Sequence, residues 1–269
     1  MARMSALLVG VSLLVSDRVF GSDDLQSAIL NAPPLLSIMS TERLLETHVV
    51  SHDELKTTVD RRAFLRGLVQ RVVAGATSDQ GRGELWTRWV QDHMAHPPRP
   101  PLDTQGQAVY DPLWLLRTRV GHCGQTNRLL VDGLDALGYK VRLVQFTGHV
   151  GAEAYFDDGW RYIDADVLDF GSFIRKRDGT LASGKEITAD LSLLDGVTPF
   201  EEIRRYTPPG ELGPAADEAS SKAWLRRQFS ERVVYDGFET PFAWVKTATR
   251  EQEGNVYYGW NYYRAERGW

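Results

Sequence analysis

Gly121-His122-Cys123-Gly124-Gln125 opens the stretch that decides how this chain is read. From Gly124 to Leu137 the apolar residues Leu129, Leu130, Leu134 and Leu137 fall on one helical face, and Gly138 supplies a left-handed stop. Cys123, the only cysteine, therefore stands in the first turn of a predicted helix. There the backbone dipole favours the thiolate, the form of cysteine that attacks carbonyl carbon. Gly121 and Gly124 leave room for a substrate backbone, and the open amides of the helix start, Gly124 among them, are candidate oxyanion donors. A lone cysteine is more often a small buried apolar residue. This one lies in a polar, glycine-flanked stretch instead.

Downstream, Tyr139 to Phe146 reads as a strand whose Val141, Leu143, Val144 and Phe146 suggest burial on both faces. Ala152 to Phe156 and Trp160 to Ile163 flank Asp157-Asp158-Gly159, a hairpin-turn signal. His149 follows Gly148 at the end of one strand, and Asp164 ends another. A nucleophile, a base and a carboxylate that fixes the imidazole tautomer would fall in that chain order. Register decides whether they meet. A four-residue loop from Phe156 to Gly159 puts His149 opposite Asp166 with Asp164 diagonal to it on the same face, whereas a two-residue Asp158-Gly159 turn separates His149 and Asp164 further. Asp166 is the alternative orienter. His122 points away from Cys123 on any regular element and reads as a rim or surface residue, and Glu153 as a solvated or structural carboxylate.

Gly121-His122-Cys123-Gly124, the helix end Ala136-Leu137-Gly138, His149 with Glu153 four residues on, and Gly159-Trp160 through Asp164 together resemble the transglutaminase-like superfamily, relatives of papain-type cysteine enzymes. The resemblance runs from about Leu85 to Asp166. It implies Cys123 as nucleophile, His149 as base, Asp164 as orienter and amide acyl chemistry through a thioester. It also implies an upstream side-chain oxyanion donor, for which Trp114 and Tyr110 are candidates by position, with core packing the plainer role for both. One departure is Gly151, where the family often carries an aromatic two residues after the histidine. The family spans cross-linkers, peptidases, amidases and inactive scaffolds, so the resemblance names no substrate.

Upstream, Asp60 to Ala74 forms an amphipathic pattern through Phe64, Leu65, Leu68, Val69, Val72 and Val73, and Ser78 to His93 a second through Leu85, Trp86, Trp89 and Val90, closed by the prolines of Pro97 to Pro101. Asp111 to Leu116 leads into the cysteine segment. Beyond Asp166 come glycine- and lysine-rich turns to Glu186, a short helix near Phe200 to Tyr206, a linker from Pro208 to Pro214, a charged helix from Ala215 to Phe229 and an aromatic tail from Tyr257 to Trp269, read as packing on the core. The arginines from Arg61 to Arg71 and from Arg226 to Arg232 read as solvated helix faces.

A formal charge of −5 over 269 residues lacks the basic footprint of a nucleic-acid partner. The apolar run from Ala6 to Val15 suits a signal-peptide core and is too short to span a bilayer. Export to the periplasm or outside is the expectation, with a cytoplasmic first strand or helix as its alternative. His48 with His52 and His93 with His96 have ligand-like spacing but lack further ligands, and no nucleotide loop is present, so neither metal nor cofactor is expected.

The reading is an α+β fold of papain-like, transglutaminase-core architecture, with the nucleophile-bearing central helix packed on an antiparallel sheet. Residues 1–21 are assigned to a signal peptide, 22–80 to an amino-terminal helical region, 81–190 to the catalytic core and 191–269 to a helical and aromatic-rich extension. The expected activity is hydrolysis or transfer at an amide of a peptide or protein, glycan-linked substrates included. Hydrolysis by a peptidase or amidase is favoured because no calcium-site carboxylate cluster of the animal cross-linking type is visible. The alternative is a non-catalytic peptide- or glycan-binding module on the same fold.

Overall fold

The apolar stripe on residues 129–137 makes the helix Cys123–Ala136 the centre of the structure, which is a computed structural model. It describes residues 27, 29–31, 49–50, 61–96, 102–103, 109–146, 149–166, 173–197, 218–230 and 232–234. In chain order the elements are β1 (Val49–Val50), α1 (Arg61–Val72), α2 (Asp79–His93), β2 (Leu102–Asp103), α3 (Pro112–Thr118), α4 (Cys123–Ala136), β3 (Val141–Phe146), β4 (Val150–Phe156), β5 (Gly159–Ile163), α5 (Gly184–Ala189), a 3₁₀ turn (Leu191–Leu194), α6 (Glu218–Gln228) and β6 (Arg232–Val234). Strands β5, β4, β3 and β6 lie in that order in one antiparallel sheet, and β1 pairs in parallel with β2.

α4 packs on β3 and β4, with α1, α2 and α3 around it. Leu129, Leu130, Val131 and Leu134 of α4 are fully buried against Val141 and Leu143 of β3 and Ala152, Ala154 and Phe156 of β4. The alternate residues of β3, Val144 and Phe146, face a second apolar cluster with Tyr162, Ile187, Leu194, Leu225 and Phe229. Because successive strand side chains point to opposite faces, this double cover is why apolar residues of β3 fall on both of its faces, around Arg142 and Gln145. Gly138, with φ of 95°, stops α4 as expected.

The hairpin between β4 and β5 turns on Asp157 and Asp158, whose φ values of 46° and 58° give both central residues the left-handed conformation. Gly159 is a strand residue paired with Phe156, so the register of the Phe156–Gly159 alternative is adopted, with only Asp157 and Asp158 in the turn, and the Asp158-Gly159 turn is not.

Two readings are corrected. Arg61 is not on a solvated face: it is 7% exposed and binds Asp111, whose other oxygen caps α3 through the amides of Leu113 and Trp114. Arg62 and Arg66 do lie on the solvated face, from which they reach the carbonyls of Asp135 and Ala136 and close the negative end of α4. Between Asp166 and Glu186 the chain is more than turns, since Ser183 and Glu186 form a capping box that starts α5. Among the described residues no helix is long and apolar enough to cross a membrane. The run from Ala6 to Val15, His48, His52, Pro97 to Pro101, the segments near Phe200 and Pro208, and the tail from Tyr257 lie outside the described residues.

Candidate active site

His122 caps α4 from an extended backbone, and the Gln125 side chain accepts its amide at 3.0 Å, which leaves Cys123 as the first helical residue. Cys123 as a residue is partly exposed. His149 precedes β4 and is 4% exposed. The Phe156–Gly159 register places it across from Asp166, and Asp164 comes diagonally toward it just past the end of β5. His149 Nε2 lies 2.5 Å from Asp164 Oδ2. That leaves Nδ1 as the ring nitrogen available to Cys123, whose sulfur lies within 4.8 Å of the imidazole. Of the two candidate carboxylates, Asp164 therefore meets the imidazole.

Asp164 is fully buried and its acceptor sites are filled. Oδ2 also accepts the Tyr162 hydroxyl, while Oδ1 accepts Asn127 Nδ2 at 3.2 Å and the Asp166 amide at 2.8 Å. Burial alone would raise Asp164, but His149 beside it, with these donors, holds it below the usual carboxylate value. Burial likewise works against a charged His149. The Asp164 carboxylate and the Cys123 sulfur outweigh it and keep the imidazole well above its ordinary value. The arrangement favours an imidazolium beside the Asp164 carboxylate.

Asn127 went unrecognised in the sequence. It stands four residues after Cys123 on the same face of α4, donates to Val150 O at 2.8 Å as well as to Asp164, and accepts the Ala165 amide at 3.0 Å. It thus locks the cysteine helix to the ends of β4 and β5. Nothing local singles it out, since Gln125, Thr126 and Arg128 stand beside it in the same polar run. Gln91 adds a further tie, donating to Asp164 O at 2.9 Å. Phe229, just after α6, was also missed. Its ring packs on Phe146, Tyr162 and His149, with centroid distances of 4.6, 5.4 and 6.3 Å.

Asp166 goes elsewhere: its Oδ1 lies 2.7 Å from His96 Nδ1. His96 stacks on His122 at 4.4 Å, because Ala95 bridges to Val120 and brings the two segments side by side. His93 instead stacks on Trp89 and bonds Trp89 O, so His93 and His96 do not converge as ligands. Glu153 is structural, fully buried between Arg142 and the Gly184 amide. Trp114 and Tyr110 both sit in the main core, at 4% and 1% exposure, and Gly124 is buried in the first turn of α4.

Residues 66–165, just over a third of the chain, match the family described as the transglutaminase-like superfamily. No curated protein matches. Similar solved structures include a candidate protease from Parabacteroides distasonis (15% identity, 54% of this chain and 26% of that one, TM-score 0.34). Others are a candidate cysteine protease from Cytophaga hutchinsonii (14% identity, 49% and 45%, TM-score 0.34) and a TGase (16% identity, 42% and 35%, TM-score 0.32). The chain spans less than half the length of each of these proteins.

Proposed function

We propose, from the transglutaminase-like core that residues 66–165 carry, that the chain is a cysteine-dependent acyl enzyme acting on an amide bond of a peptide or protein, as a peptidase or amidase. Cys123 is the nucleophile, His149 the general base and acid, and Asp164 the group that fixes the imidazole. The observation that carries this reading is the contact of His149 Nε2 with Asp164 at 2.5 Å beside a helix-start cysteine whose sulfur lies within 4.8 Å of the same ring.

In this scheme the Cys123 sulfur, its proton held by His149, attacks the carbonyl carbon, and the tetrahedral oxyanion lies at the start of α4, where backbone amides point outward. His149 then protonates the departing amine, the C–N bond breaks and a thioester remains. Water gives a proton to the now neutral imidazole and its oxygen attacks the thioester, releasing the acid and restoring the thiol–imidazole pair. Asp164 stays ionised throughout, held by its four donors.

Alkylation kinetics test the reading before a substrate is known. Cys123 should react rapidly with iodoacetamide well below pH 8, and more slowly in His149→Ala. Trapping of a thioester from a peptide library would then identify the acyl group. Slow alkylation, unaltered in His149→Ala, would favour a non-catalytic binding module.

A further inference from the structure

The proposed acyl chemistry leaves one buried group beside the sulfur unused. Asp166 is 5% exposed, its Oδ1 is engaged by His96, and its Oδ2 is buried with no hydrogen-bond partner. One ligand atom each from Asp166, Cys123 and His149 lies within 4.8 Å of the other two. A buried carboxylate oxygen without a donor is costly unless a cation or proton arrives. An oxygen of the same carboxylate lies within 4.8 Å of both the thiol sulfur and an imidazole nitrogen.

Thiolate, imidazole and carboxylate are the three ligand types that bind zinc in proteins. The outer shell that such a site needs is already in place. His149 has its Nε2 held by Asp164, the carboxylate–histidine arrangement that orients a metal-bound ring, and Asp166 has its second oxygen held by His96. Zinc–ligand bonds of about 2.0–2.3 Å place tetrahedral ligand atoms roughly 3.2–3.7 Å apart, so the three groups need to close by about 1.5 Å at most.

We propose that Cys123 Sγ, His149 Nδ1 and the Asp166 carboxylate form a zinc site that reversibly blocks the enzyme, its fourth position left to water on the side where Cys123 is partly exposed. The thiol–imidazole pair holds one proton, and zinc displaces it to water as the Zn–S and Zn–N bonds form, with no change of oxidation state. The bound sulfur has then lost its free nucleophilic pair and the imidazole its basic nitrogen. Binding rests on the geometry alone; that it inhibits rests on the acyl-enzyme reading.

Alkylation of the full chain separates the two. Without zinc, the iodoacetamide rate reports the reactive thiol. At buffered free zinc of about 10 μM, tenfold above a micromolar dissociation constant, the rate in the wild type falls about tenfold and returns with EDTA, while magnesium has no effect. Asp166→Asn keeps a measurable zinc-free rate but loses that protection. Cobalt(II) provides a second readout should Asp166→Asn fail to fold: the wild type gains a sulfur-to-cobalt charge-transfer absorption that Cys123→Ser lacks. Absent protection in the wild type, equal protection in a folded Asp166→Asn, equal protection by magnesium, or no such absorption overturns the site, whatever the zinc-free rate.

Discussion

The phenol of Tyr162 occupies the space that a side chain at residue 151 would need, so Gly151 is what lets the hydroxyl reach Asp164. The position where the resemblance leads one to expect an aromatic is therefore filled, but from the neighbouring strand. Gly151→Ala forces the Tyr162 ring aside and breaks its bond to the buried carboxylate. A hydrogen bond to a charged group is worth about 1.5–3 kcal/mol, so alkylation of Cys123 should slow by about tenfold or more. Tyr162→Phe should give a loss of similar size, and adding Gly151→Ala to it should lower the rate little further. Additive losses would show that Gly151 acts by another route.

Asn127→Ala should destabilise the fold as well as the site. It leaves the Val150 carbonyl, the Ala165 amide and one Asp164 oxygen short of a buried partner. At about 1–3 kcal/mol for each group left unsatisfied, a loss of roughly 3 kcal/mol is expected in urea unfolding, with unchanged m-value. A change below about 0.5 kcal/mol would mean that α4 is held to the strands by apolar packing alone.

The contrast between these residues and Cys123 shows what the sequence makes legible. Periodicity marks α4, and the aspartate pair with its glycine marks the hairpin, because both signals are local. Cys123, His149 and Asp164 could be named as candidates from chain order, but choosing Asp164 over Asp166 needed the register, which depends on a turn that two sequences of pairing could satisfy. Asn127 and Phe229 carry no local mark, since their partners lie 23 or more residues away in the chain. Arg61 failed for a related reason: a buried arginine and a solvated one look alike until Asp111 is brought beside it. Ser183 with Glu186 was legible as a helix start and simply went unread.

The charge balance at His149 and Asp164 predicts a pH signature, best measured with a chelator present. His149 is raised in the folded chain, so its contribution to stability is complete below about pH 6.5 and is lost as the pH rises through its folded value. Asp164 is lowered, so its contribution is complete above about pH 3.9 and is lost as the pH falls through its folded value. The difference in Tm between wild type and Asp164→Asn should therefore be largest between about pH 4 and 6.5 and narrow on both sides. A difference that grows steadily above pH 7 would contradict the imidazolium–carboxylate pair.

Phe229 tests whether the segment after Ser183 belongs to the site. Its fully buried ring joins Leu225 of α6 to Phe146 and Tyr162 of the sheet and packs on His149. Phe229→Ala should cost about 3–5 kcal/mol as a buried aromatic truncation, and it opens a water path to the imidazole. Phe229→Leu keeps most of the volume, so it should recover most of the stability. Tm and alkylation rate, measured on both variants, should fall together in Phe229→Ala.

Arg128 and Asp132 form a second buried pair, on α4 itself, at 1% and 2% side-chain exposure. Burial outweighs Arg128 and pushes Asp132 up to about 7. Removing one partner of a buried pair leaves an uncompensated charge, so Arg128→Met should cost about 3–5 kcal/mol at pH 8. That cost should shrink as the pH is lowered, because the orphaned carboxyl can take a proton and stand neutral in the core. The double variant Arg128→Met with Asp132→Leu removes both charges at similar volume and should recover most of the loss at pH 8. Urea unfolding of the two variants across pH 5 to 8 decides it: a pH-independent cost, or a double variant no better than the single, would mean that the pair holds α4 through packing rather than charge.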